Sequence, residues 1–121
     1  MWQSPLSSTW TEGPGYQLSN KAGKEIKMIT VIFEYDVAPE NQEAYVKATQ
    51  NEIKPLWESI GCLAYDIWQV KENETGFVKT MLFEDAATMK SAMADEKADG
   101  AKKLFYEFAQ NISRKVCLKK T

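Results

Sequence analysis

Between residues 61 and 84 lie two runs rich in β-branched and aromatic side chains, Gly61-Cys62-Leu63-Ala64-Tyr65-Asp66-Ile67-Trp68-Gln69-Val70 and Phe77-Val78-Lys79-Thr80-Met81-Leu82-Phe83-Glu84. The short polar segment between them, Lys71 to Thr75, ends at Gly76, which reads as the turn of a hairpin. A helical pattern stands on each side of this pair. The fold must therefore hold an antiparallel strand pair between two helices, and this restricts how the rest of the chain can be placed.

Ahead of the hairpin, Met28 to Val37 is predicted as a strand with Val31, Phe33 and Tyr35 on one face and Thr30, Ile32 and Glu34 on the other. Pro39 opens a helix where its missing N–H is harmless, and Glu40 and Glu43 suit the positive end of the helix dipole. The stripe Tyr45, Ala48, Thr49, Ile53, Leu56, Trp57 and Ile60 extends this helix to about Ser59. Pro55 should disturb its hydrogen bonding near Asn51, and Gly61 should close it. After the hairpin, Asp85 caps a second helix with Ala86, Met89, Ala92 and Met93 inward. A break is expected at Asp99-Gly100, followed by a new stripe of Leu104, Phe105, Phe108 and Ile112 and a short closing strand over Lys115 to Lys119.

The order β-α-β-β-α-β over residues 26–121 is that of an α+β, ferredoxin-like split βαβ domain: an antiparallel four-stranded sheet with its helices on one face. The second and fourth strands become opposite edges, which holds Cys62 and Cys117 too far apart to bridge. The helix-free face carries Ile32, Val78 and Leu82 and needs cover, so a homodimer through that face is expected. Residues 1–25, rich in Ser, Thr, Gly and Pro yet containing Trp2, Trp10 and Tyr16, are expected to form an N-terminal arm, either disordered or packed on a subunit.

Composition narrows the chemistry. The chain has 15 basic and 17 acidic residues, a balance that disfavours nucleic acid or an anionic membrane as partner. Histidine is absent, which removes the commonest general base and the usual zinc and haem ligand; no metal site or bound cofactor is expected. The first residues lack the basic start and apolar stretch of a secretory signal, so a cytoplasmic location is expected.

The opening strand Ile29-Thr30-Val31-Ile32-Phe33-Glu34, a proline late in the first helix, Gly61-Cys62 followed by Tyr65, and the spacing to Phe83-Glu84-Asp85 together resemble the antibiotic biosynthesis monooxygenase-like family of the dimeric α/β-barrel superfamily. The resemblance spans residue 28 to about residue 119. It implies a dimer that binds a small apolar or aromatic molecule. In cofactor-independent members the substrate anion itself is oxidised, so the protein supplies orientation and stabilisation of negative charge. Members commonly carry Glu-x-Trp at the end of the third strand and histidines along the second helix. Here Met81 and Phe83 stand at those strand positions and the helix has no histidine, which disfavours the haem chemistry of some relatives.

Ligand-pocket candidates are Phe33, Tyr35, Trp57, Tyr65, Met81, Phe83 and Phe105, with Tyr35 or Tyr65 as a donor to an anion; no catalytic residue is assigned. Asp66 and Glu34 are expected at wet edges, and Trp68 at the subunit interface. Two readings stay open: a cofactor-independent monooxygenase, and a non-catalytic ligand-binding or stress-linked interaction module whose pocket is filled by the same side chains.

Overall fold

The structure, a computed structural model, describes residues 27–121; the expected N-terminal arm lies outside the described residues. Four strands, β1 (Ile29–Asp36), β2 (Ala64–Gln69), β3 (Gly76–Phe83) and β4 (Gln110–Leu118), form one antiparallel sheet in the order β2-β3-β1-β4. This is the ferredoxin-like arrangement, and β2 and β4 are its edges. Strand alternation sets the faces. Ile29, Val31, Phe33 and Tyr35 of β1 and Phe77, Lys79, Met81 and Phe83 of β3 are buried beneath the helices. Ile32, Val78 and Leu82 fall on the other face and are half-buried.

The first helical stretch is composite: a 3₁₀ turn over Pro39–Asn41, α1 (Gln42–Ala48), a π-helical turn over Thr49–Ile53 and α2 (Lys54–Ser59). Pro55 explains the π turn. It has no N–H to offer the Asn51 carbonyl, and the Lys54 N–H reaches five residues back to the Thr49 carbonyl. The widened turn absorbs the proline without breaking the rod, so Tyr45, Ile53 and Trp57 all face the sheet. Gly61 ends the stretch at φ +121°, a conformation that L side chains rarely adopt.

The second helical stretch departs from expectation in two places. Its break is made by Asp95, not by Asp99-Gly100. α3 (Ala86–Ala94), capped by Asp85 accepting from the Thr88 N–H at 2.8 Å, stops where Asp95 turns extended and accepts from the Lys97 N–H at 2.9 Å. A 3₁₀ turn over Glu96–Ala98 follows, and Gly100 lies inside α4 (Asp99–Phe108). The second departure is at the C-terminal end. Ile112 belongs to β4 rather than to a helix, and that strand is longer than expected because β1 presents a long free edge: Ile29 to Asp36 pair with Leu118 back to Gln110, with one irregularity between Glu34 and Asp36.

Candidate functional site

The layer between sheet and helices is not filled evenly. Toward one end, Tyr35, Tyr45, Phe77 and Phe108 pack ring against ring, with Tyr35–Tyr45 centroids 5.9 Å apart and Tyr45–Phe77 centroids 5.8 Å apart. The Tyr35 and Tyr45 hydroxyls share a hydrogen bond of 2.5 Å. Burial raises both phenols, Tyr45 to about 12 and Tyr35 further still. One of the two hydroxyls donates this bond and the other accepts it, and neither tyrosine lines the cavity at the other end of the layer.

Toward the other end is a cavity of about 280 Å³ lined by Phe33 and Arg114 of the sheet together with Lys79 and Met81, by Trp57 and Met93, and by Lys102, Phe105 and Tyr106 of α4. Sheet register builds its floor. Lys79 and Arg114 both pair with Phe33, one from each side, so a single row across the sheet reads Lys79, Phe33, Arg114. Met81 lies on β3 two residues beyond Lys79, which puts it on the same face.

Lys79 is the most unusual group in this site. It is 3% exposed, and its Nζ lies 3.5 Å from the Phe105 ring centroid, 4.2 Å from that of Phe33 and 5.5 Å from that of Tyr65. Among the described residues it has no carboxylate partner. Burial therefore dominates and lowers it to about 7, against which the nearby Cys62 pulls weakly upward. The other two cations of the cavity are differently placed. Lys102 donates to the Met93 carbonyl in the last turn of α3, an arrangement suited to the negative end of a helix. Arg114 is exposed at the mouth. Among the described residues, no acidic side chain lines the cavity.

Of the seven candidates read from the sequence, Phe33, Trp57, Met81 and Phe105 line this cavity. Tyr35, Tyr65 and Phe83 do not; they are buried in the surrounding core. Tyr35 is held by Tyr45, whereas the Tyr65 hydroxyl is buried without a hydrogen-bond partner among the described residues, and burial raises it far above its usual range. Cys62 is a buried thiol that donates to the Ala64 carbonyl, raised to about 11 by burial and so a poor nucleophile at neutral pH. Asp66, Glu34 and Trp68 are exposed. Sequence reasoning missed Lys79. Its signal was present: a lone charged residue at an inward position of the series Phe77, Lys79, Met81, Phe83.

Fold and cavity together define a sheet-and-helix domain with a small apolar pocket between its layers. A family model described as antibiotic biosynthesis monooxygenase matches residues 28–104, and the chain belongs to that family. Solved structures share the fold. A conserved protein from Methanosarcina mazei superposes with a TM-score of 0.66 at 18% identity, covering 78% of this chain and 94% of that one. SnoaB, a cofactor-independent oxygenase from Streptomyces nogalater, superposes with a TM-score of 0.65 at 11% identity, covering 78% and 95%. A conserved protein from Bacteroides thetaiotaomicron gives 0.64 at 16% identity, covering 77% and 98%. No curated protein sequence matches the chain significantly. No helix among the described residues is long and apolar enough to cross a membrane.

Proposed function

We propose that this protein binds a small flat aromatic molecule in the cavity between sheet and helices and oxidises it as a cofactor-independent monooxygenase. The observation that carries this reading is the cavity itself, about 280 Å³ in volume and walled by Phe33, Trp57, Met81 and Phe105. A non-catalytic module would have this space closed by the same side chains, as the Tyr35–Tyr45 end is closed. Aromatic and Met walls offer contact area to a planar ring system, and the cationic groups at floor and mouth suit the negative charge that develops when such a molecule is activated toward dioxygen.

The working unit in this reading is a cytoplasmic homodimer. Trp68 is 60% exposed on the helix-free face beside Val78, its register partner, with Ile32 and Leu82 half-buried on the same face. A second copy laid against this face would cover them. Sedimentation equilibrium would give the mass; a monomer at micromolar concentration would remove the dimer from the proposal.

Activity is tested by oxygen consumption with anthrone and related quinols. The expected result is uptake above the spontaneous rate by the wild type and a return to the spontaneous rate in Met81→Trp, which puts a bulky ring into the cavity from its floor. Uptake that is identical in both proteins would sink the proposal.

A further inference from the structure

We propose that Lys79 is a catalytic residue that takes the proton from an acidic hydroxyl of the bound aromatic, and that the cavity is accordingly built for phenols and enols rather than for neutral hydrocarbons. The inference rests on the ligand-binding reading above and names the substrate class and the base. In the step, the ligand O–H bond breaks, its electron pair stays on oxygen, and an N–H bond forms at Nζ. The products are an aromatic oxyanion and an ammonium held side by side, and no oxidant is consumed.

Position carries the argument. Lys79 is an inward residue of β3, 3% exposed, and it lines the floor of the cavity with Phe33 and Phe105. An amine in that position is ordinarily matched by a carboxylate, and a structural lysine at a sheet–helix interface would be expected to have one. Here Nζ meets ring faces at 3.5 and 4.2 Å, and an open volume. Ring faces favour the ammonium, so the proton is welcome once an anion arrives to offset the lost hydration.

The titratable groups around it support the same assignment. Tyr65 approaches from β2, Cys62 from the turn before β2, Lys102 and Tyr106 from α4, and Arg114 from β4. None of these is a carboxylate. Burial keeps the Tyr65 phenol and the Cys62 thiol protonated, and it leaves Lys79 uncharged in a large fraction of molecules near neutral pH. Lys79 is therefore the member of the cluster placed to accept a proton, while Lys102 is engaged with the Met93 carbonyl and Arg114 stands exposed at the mouth.

The probes are 7-hydroxycoumarin, whose anion absorbs to the red of the neutral form, and 7-methoxycoumarin, which has the same ring system without the acidic proton. Wild-type protein is expected to bind the hydroxyl compound about tenfold more tightly than the methoxy compound and to lower its titration midpoint by about one pH unit, the equivalent of that affinity ratio. Lys79→Met is expected to bind the two alike and leave the midpoint unmoved. Lys79→Arg separates proton transfer from charge. It should still favour the anion, but calorimetry in two buffers of different ionisation enthalpy should then register a proton released to solvent, where the wild type keeps it on Nζ. Equal midpoints in wild type and Lys79→Met would overturn the inference while leaving the pocket intact, as would proton release by the wild type matching that of Lys79→Arg. Binding of neither coumarin to the wild type would overturn the ligand-binding reading and this inference with it.

Discussion

Phe33 and Tyr35 are successive inward residues of β1, separated by roughly 7 Å along the strand, yet they belong to opposite kinds of interior. Around Tyr35 the rings of Tyr45, Phe77 and Phe105 close the space, and the Tyr35 and Tyr45 hydroxyls bond to each other, although the nearby Tyr65 and Thr49 hydroxyls are buried without a partner among the described residues. Around Phe33 the space is open, and the polar atom introduced there, Lys79 Nζ, has ring faces and a cavity as neighbours. Phe105 borders both, with centroids 5.0 Å from Tyr35 and 5.8 Å from Phe33. The same aromatic material therefore builds a filled core at one end and the wall of a cavity at the other. What separates them is the charge of the buried polar group and the space beside it: neutral hydroxyls enclosed by rings at one end, and at the other an amine beside an open volume with no carboxylate partner among the described residues.

The largest expected effect is at the open end. In the unfolded chain Lys79 keeps its proton up to about 10.5, whereas in the fold burial lowers it to about 7. Between those values the unfolded state binds more protons at this residue, so the Lys79 contribution to stability is lowest, and level, below about 7 and rises with pH above it; above about 9 the raised Cys62 thiol and the raised tyrosine phenols act in the opposite direction. Lys79→Met should abolish that rise. At pH 6 it should stabilise the protein by about 2–4 kcal/mol, the gain from removing a buried charge less some lost packing of the lysine stem. Urea denaturation of both proteins at pH 6 and at about pH 8.5, below the range in which the Cys62 thiol and the phenols titrate in the unfolded chain, would measure it. A variant less stable than wild type at pH 6 would mean that Lys79 is a structural cation after all, and the contrast between the two ends would fail.

At the closed end the sign reverses. Tyr45→Phe leaves the Tyr35 hydroxyl buried without its partner and should cost about 1–3 kcal/mol. Adding Tyr35→Phe should recover most of that loss, since two phenyl rings at these positions leave no polar atom stranded. Thermal or urea unfolding of the two singles and the double gives the coupling directly. A double variant no more stable than the worse single would show that shape, rather than the shared hydrogen bond, holds this end together.

The strand and helix order was readable because each element shows its own period: alternation in Val31, Phe33, Tyr35 and in Met81, Phe83, and a stripe at three and four in Tyr45, Ile53, Trp57. Element boundaries were less readable where side-chain capping or tertiary pairing decides them. Asp95 ends α3 by a local hydrogen bond of its carboxylate, while the sequence offers the better-known breaker Gly100 five residues later. Ile112 continues a helical stripe on paper, but the free edge of β1 recruits it into β4. In the site, the aromatic walls Phe33, Trp57 and Phe105 were accessible as a pattern, yet no pattern of apolar residues states whether they touch or leave a gap. Lys79 was passed over because a lysine in a strand is ordinarily outward and wet, and only its parity within β3 contradicts that.

The smallest expected effect tests whether the open end is open by virtue of side-chain volume alone. Met93 lies in the last turn of α3, half-buried and lining the cavity, and its contact with Lys102 is made through the main-chain carbonyl, which a substitution keeps. Met93→Phe adds a ring facing empty volume, so it should stabilise the fold by about 0.5–1 kcal/mol while excluding an aromatic ligand. The matched change at the other end is Phe77→Trp, where Tyr35 and Tyr45 already occupy the neighbouring space at 6.1 and 5.8 Å between centroids. Overpacking there should cost about 1–3 kcal/mol. Urea midpoints of the two variants therefore move in opposite directions if one end is a cavity and the other a filled core. Destabilisation by both would mean that the space beside Met93 collapses in solution, and that the chain has two cores rather than one core and one binding site.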